Sequence, residues 1–170
     1  MANQFGIRRG STGDDCISIS NGGTDVLINV LTLACAARAK TESEKRLAVW
    51  IAEHDQTIGR GIVGFDLDAM PWDPETFESD RRFMVDVIDT ASLKTGWELL
   101  CYSPNEDYVT VWLRWFKRGF LRLKASDIRP AILPEWLEGQ EEDDPAQCGF
   151  PRCEKHGIYL TYLGCQVCNS

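Results

Sequence analysis

A mainly α-helical fold, or an α+β fold in which a minor sheet sits beside the helices, is what this sequence predicts, with a small ribbon or knuckle at its C-terminus. Three observations predict it. Four segments repeat apolar residues at helical spacing and begin on capping residues. Clear strand-like alternation is limited to Cys16-Ile-Ser-Ile-Ser20. Cysteines and a histidine crowd the last 23 residues in closely spaced pairs.

Residues 1–24 read as an irregular or strand-like start, and Asn21-Gly-Gly is a turn signal. Val26 to Lys40 is the first helix. Thr24 or Asp25 can cap it, and Arg38 and Lys40 suit the negative end of its dipole. Its apolar residues, from Val26 to Ala34, nearly encircle it, which places it at the centre of the core. A second helix runs from about Ser43 to His54, with Leu47, Trp50, Ile51 and His54 on one face. Residues 62–65 form a short strand or a buried loop. Asp73-Pro-Glu75 starts a third helix that continues to about Leu93 and stops at Gly96. Pro104-Asn105 opens a fourth, Glu106 to Lys117, with Tyr108, Val111, Trp112, Trp115 and Phe116 as its apolar side and Gly119 as its stop. Residues 120–137 read as a wrapped loop or a short helix. The acidic run Glu138 to Pro145 reads as a solvated linker. The division expected is a compact helical domain at 1–137, a linker at 138–147 and an appendage at 148–170.

The appendage carries the clearest chemistry. Cys153-x2-His156 is followed, eight residues later, by Cys165-x2-Cys168, with Gly157 and Gly164 beside the two pairs. Tetrahedral zinc needs four sulfur or nitrogen ligands delivered by two tight turns, and these spacings supply them. The expectation is one structural zinc per chain held by Cys153, His156, Cys165 and Cys168, with Cys148 as a fifth possible ligand in place of His156. The pattern resembles the short zinc ribbons and knuckles at the ends of many bacterial proteins. Four filled positions leave no site for a reactive water, so the metal is structural and supplies most of the tail's folding free energy. Cys16, Cys35 and Cys101 read as small buried hydrophobes.

Charge limits the functional classes. The 170 residues carry a net charge of −8, with 13 acidic and four basic groups in residues 53–107. Nucleic-acid affinity comes from neutralising phosphates, so general binding of that kind is disfavoured. An acidic surface suits a basic protein instead. No stretch approaches the ~20 apolar residues of a membrane span, and the start has no apolar run of a secretory leader. With clustered cysteines, this points to a cytoplasmic, reducing setting.

Other constellations fail on context. Gly59-Arg-Gly61-Ile-Val-Gly64 matches a dinucleotide-binding fingerprint, but no buried strand precedes it and no helix follows. Asp66-Leu-Asp68 resembles the nucleophile strand of haloacid-dehalogenase-like phosphatases, but Met70 stands where that pattern wants threonine or valine. His54 beside Asp55 completes an apolar face and reads as a core-edge histidine. Residues 112–124 interleave aromatics with five cations, the one feature here that resembles a nucleic-acid surface.

Trp50-Ile-Ala-Glu-His-Asp-Gln56, Gly64-Phe-Asp-Leu-Asp-Ala-Met-Pro-Trp72 and Trp97-Glu-Leu-Leu-Cys-Tyr-Ser-Pro104 give the main segment a resemblance to the small acidic immunity proteins that bacteria encode beside polymorphic toxins. The resemblance implies a non-enzymatic protein that blocks a cognate toxin. The loop containing Asp66, Asp68, Trp72 and Asp73 is the expected contact surface, its carboxylates steering a basic toxin domain and its tryptophan giving buried area. The rival expectation is a zinc-ribbon adaptor that touches nucleic acid through residues 112–124, Arg152 and Lys155.

Overall fold

The computed structural model describes residues 2–54 and 64–169. Ile62 and Val63, all of the glycine fingerprint before Gly64, and Asp55 lie outside them. Six α-helices and one two-stranded antiparallel sheet are present among the described residues, the mainly helical class with a minor sheet that the sequence predicts. No helix among them is long and apolar enough to cross a membrane.

Strand β1 (Ala2–Gly6) pairs with β2 (Cys16–Ser20) in the register Ala2↔Ser20 to Gly6↔Cys16. Alternation turns Asn3 and Phe5 inward from β1 and Ile17 and Ile19 inward from β2. β2 runs directly into helix α1 (Asn21–Arg38), which starts earlier than expected. Its cap is Ser20, whose hydroxyl accepts from the Gly23 N–H at 3.1 Å. Asn3 binds the first turn of α1, donating to Thr24 Oγ1 at 3.0 Å and to Asn21 Oδ1 at 3.1 Å. As its all-round apolar surface requires, α1 packs against α2, α3, α4 and both strands.

Helix α2 (Glu42–Ala52) starts on a capping box: Thr41 Oγ1 accepts from the Glu44 N–H, and the Glu44 carboxylate accepts from the Thr41 N–H. The loop after Gly64 lies along the outer edge of β1, where Gly6 donates to the Phe65 carbonyl at 3.3 Å. Gly64 sits so close to the backbone of Gln4 that no Cβ fits between them. Helix α3 (Phe77–Ser92) begins after Thr76, not at Pro74. Asp73 is used in a local turn, where Oδ1 accepts from the Glu75 N–H at 2.9 Å. Further along, Asp80 is 2% exposed and fastens α3 to α2. Its Oδ2 accepts from Ser43 Oγ at 2.5 Å and from Thr76 Oγ1 at 2.7 Å.

Helix α4 (Glu106–Arg122) differs from expectation in length and orientation. It continues through Gly119 because that glycine permits close packing: an added Cβ would lie 2.5 Å from Leu67 Cδ1. The buried face is Val109, Leu113, Trp115, Phe116 and Phe120. Tyr108 is 63% exposed and Val111 55% exposed, so both belong to the surface and not to the apolar side predicted for them. Helix α5 (Ile132–Glu138) settles the ambiguity at 120–137 as a short helix. The acidic run beyond it folds into turns around buried Asp144, whose carbonyl accepts from the Gln147 N–H at 2.8 Å. Glu141, Glu142 and Asp143 stay exposed.

Two outcomes follow from these contacts. Gly64→Ala will cost about 2–3 kcal/mol, because the obstacle is backbone and cannot swing away; denaturant unfolding measures it. Burial pushes the Asp80 carboxyl above its ordinary value, against the lowering effect of the two hydroxyl donors. A raised native value means that the folded state holds the proton more tightly than the unfolded one. The contribution of Asp80 to stability is therefore fully present below the unfolded pKa and lost as pH rises through the folded one. Asp80→Asn should remove that part of the pH dependence in melts through the acidic range.

Candidate metal centre

The tail contains two tight turns, one around Cys153–His156 and one just before Cys165. In the first, the Gly157 N–H donates to the Cys153 carbonyl at 2.8 Å and the Cys153 N–H donates to the Ile158 carbonyl at 2.8 Å. Gly157 sits at φ 69°, where a side chain would be strained. Backbone N–H groups of His156 and Lys155 point at the Cys153 sulfur. The second turn joins Thr161 and Gly164 by paired bonds of 3.1 and 2.8 Å and leads into helix α6 (Gln166–Asn169). There the Cys168 N–H donates to the Cys165 carbonyl at 3.1 Å. The main-chain groups around Cys153 favour its thiolate.

The turns bring Cys153, His156, Cys165 and Cys168 together, with all four ligand atoms within 4.8 Å of one another. His156 Nδ1 lies 3.7 Å from Cys153 Sγ, 3.4 Å from Cys165 Sγ and 3.3 Å from Cys168 Sγ, and the Cys153 and Cys168 sulfurs are 3.7 Å apart. The cluster could bind a metal ion. Burial, with a smaller push from Lys155, holds His156 below its ordinary value, which favours the neutral imidazole that a metal would need. Burial pushes the Cys165 thiol up to about 12. Burial also pushes up on Cys153, but the donors around it outweigh that effect and hold it below the usual thiol value. A cation at the centre would reverse the penalty on Cys165. Cys148 is not in the cluster; its sulfur faces the Glu142 carbonyl at 3.7 Å.

The tail is docked on the core. Ile158, Tyr159, Cys165 and Val167 pack into the same hydrophobic cluster as α1. Gln166 Nε2 donates to Asn29 Oδ1 at 3.1 Å and to Thr32 Oγ1 at 3.0 Å, all three residues being buried. Asn29 in turn donates to the Tyr102 hydroxyl at 3.0 Å. This docking site is absent from the sequence reading. Its signal was two polar residues three positions apart in an otherwise apolar helix.

The other candidate residues are placed differently. Trp72 is 0% exposed and donates from Nε1 to the Leu67 carbonyl at 2.7 Å, so it is core and cannot be the surface aromatic expected of it. Asp68 is 4% exposed, paired with Arg129 at 3.2 Å and accepting from the Arg9 N–H at 3.3 Å. Asp66 also faces Arg129, at 3.8 Å. Burial and the adjacent Asp68 push its carboxyl up, while Arg129 and Arg9 pull it down. Asp73 lies 3.9 Å from Arg46. The carboxylates of this loop therefore serve internal pairs. His54 packs at a tilt against Trp50 and edge-on against Phe65, and its Nδ1 lies 2.8 Å from the Trp50 carbonyl. In residues 112–124 the aromatics Trp115, Phe116 and Phe120 are buried. Lys117 pairs with Asp89, Arg122 with Asp15, and Arg118 donates to the Asp14 carbonyl.

No protein-family model matches the chain, no curated protein matches it in sequence, and no solved structure matches its fold.

Because Gln166 fills polar positions inside the core, Gln166→Ala should destabilise the protein by about 1–3 kcal/mol by stranding Asn29 and Thr32. Removal of residues 148–170 should lower the melting temperature of the remainder much further, as followed by circular dichroism.

Proposed function

We propose that this is a non-enzymatic cytoplasmic protein that binds a protein partner, and that a structural zinc ion fastens its tail to α1. The observation that carries the zinc assignment is the shape of the cluster. With Zn–S bonds of ~2.3 Å and Zn–N bonds of ~2.0–2.1 Å, a tetrahedral site has edges of about 3.5–3.8 Å. Four of the six separations among the ligand atoms, at 3.3–3.7 Å, are close to those edges, and all six are within 4.8 Å. Three sulfurs and one imidazole suit zinc better than magnesium or calcium, which prefer oxygen. All four positions are filled by the chain, which favours a structural role over a catalytic one. When bound, the ion would hold the two turns together and so keep Gln166 and Val167 against α1.

The proposed partner is a basic toxin domain, with the chain acting as its immunity protein. The support is electrostatic. Glu78, Asp86 and Glu106 are exposed but pair with Arg81, Arg38 and Lys94, which leaves Glu75, Glu98 and Asp107 as the exposed carboxylates on or beside α3 and the start of α4. With the Asp66–Asp73 loop committed internally, these carboxylates are the steering surface of the proposal.

Metal analysis of protein purified without added metal should give one zinc per chain, and Cys165→Ser with Cys168→Ser should abolish it. Copper or iron in its place, or zinc retained in the double variant, would sink the assignment. For the partner, the toxin domain encoded beside the gene is the probe. Glu98→Lys with Asp107→Lys should slow association at low salt and leave melting unchanged; equal rates would remove this surface from the proposal.

A further inference from the structure

The two-stranded sheet has one covered edge and one open edge. The outer side of β1 is occupied by residues 64–66. On β2, the ladder determines which backbone groups face out. The Ile7 N–H donates to the Asp15 carbonyl at 2.9 Å, one step beyond the Gly6↔Cys16 pair. Hydrogen-bonded pairs alternate in an antiparallel ladder, so Phe5–Ile17 and Asn3–Ile19 are the bonded pairs. The N–H and C=O groups of Cys16, Ser18 and Ser20 therefore point away from β1.

Two of these outward groups are already engaged. The Cys16 N–H donates to the Gly13 carbonyl, and the Ser20 carbonyl accepts from Thr24 Oγ1 at 2.9 Å. Both groups of Ser18, the Cys16 carbonyl and the Ser20 N–H have no partner among the described residues. Open edges are normally guarded by lysine, proline or a bulge. β2 has no lysine or proline, and its register is unbroken.

We propose that this edge pairs with the same edge of a second copy of the chain, β2 against β2, antiparallel about a twofold axis at Ser18. The free groups complement one another only in this register. Ser18 opposite Ser18 exchanges two hydrogen bonds. Each free Ser20 N–H meets a free Cys16 carbonyl. The engaged Cys16 N–H and Ser20 carbonyl fall opposite each other, so no free group faces a committed one. Ile17 and Ile19 keep to the core side in both copies, and the result is one four-stranded sheet.

Charge agrees with the register. It carries the exposed Asp14 carboxylate, which has no ion-pair partner among the described residues, toward the first turn of α1 in the other copy. That turn has no acidic residue of its own, and a carboxylate suits a helix N-terminus. Beside the edge lies a groove of about 440 Å³, lined by Ser18, Gly23, Val26, Tyr108 and Trp112, which leaves room for a second strand. None of the residues lining it is charged.

Sedimentation velocity of the full chain across the micromolar range tests this, and a dimer is the expected result. Ser18→Lys places like charges opposite each other on the axis and should raise the dissociation constant about tenfold or more. Ser18→Ala keeps the backbone groups and should leave the constant unchanged. Ser18 is exposed, so neither variant disturbs the core. A bonded antiparallel pair has a Cα separation of about 5.5 Å, within disulfide range, so Ser18→Cys should give a covalent dimer joined through position 18 under mild oxidation. A chain that stays monomeric throughout, a dimer indifferent to Ser18→Lys, or no crosslink at position 18 would each overturn the proposal.

Discussion

The structure depends on the burial of a helix that has no polar side to show to water. From Leu27 to Ala36, α1 has no exposed residue, and so it must be covered on every flank. The surrounding elements divide that task among themselves. The strands close over its start, α2 and α3 flank its length, α4 crosses it, and the tail covers the turn around Asn29 and Thr32. Each burial removes apolar area worth roughly 25 cal/mol per Å², which is why short elements with little stability of their own hold their places. The same demand explains the glycines at 23 and 119. A Cβ at Gly23 would meet Trp112, and one at Gly119 would meet Leu67, so both mark where partners approach most closely.

Much of this was legible in the sequence because the signals were local. Helical periodicity identified α1 and α2, and the spacing of two Cys-x2 pairs picked out the four residues that lie together in the tail. What local signals could not convey was the use made of side chains by distant segments. Trp72 and Asp68 look like surface residues in a polar loop. Their burial comes from Leu67, Arg9 and Arg129, one of them 61 positions away. Gly119 reads as a stop in isolation and is a packing position once Leu67 is beside it. The face of α4 was misplaced for a related reason: Tyr108, Val111 and Trp112 are apolar enough for a core, yet the core of this protein is already filled by Val109, Leu113 and Phe116.

The tail shows how few apolar contacts a segment needs when polar ones are well placed. Its two turns are closed by backbone bonds, and its four candidate ligands face inward between them. Helix α6 has only four residues, too short to persist alone. It is positioned from one side by Cys165 and Cys168 and from the other by Gln166, so the same short stretch serves the cluster and the core at once.

The bond between Gln166 and Asn29 also has a consequence for the order of events at the ribosome. The two residues are 137 positions apart, so α1 is synthesised long before the group that completes its polar pair. Until position 166 has left the exit tunnel, Asn29 Oδ1 and Thr32 Oγ1 lack the side-chain amide that donates to them. The central helix therefore cannot complete its polar contacts until the segment that carries Gln166 has been made.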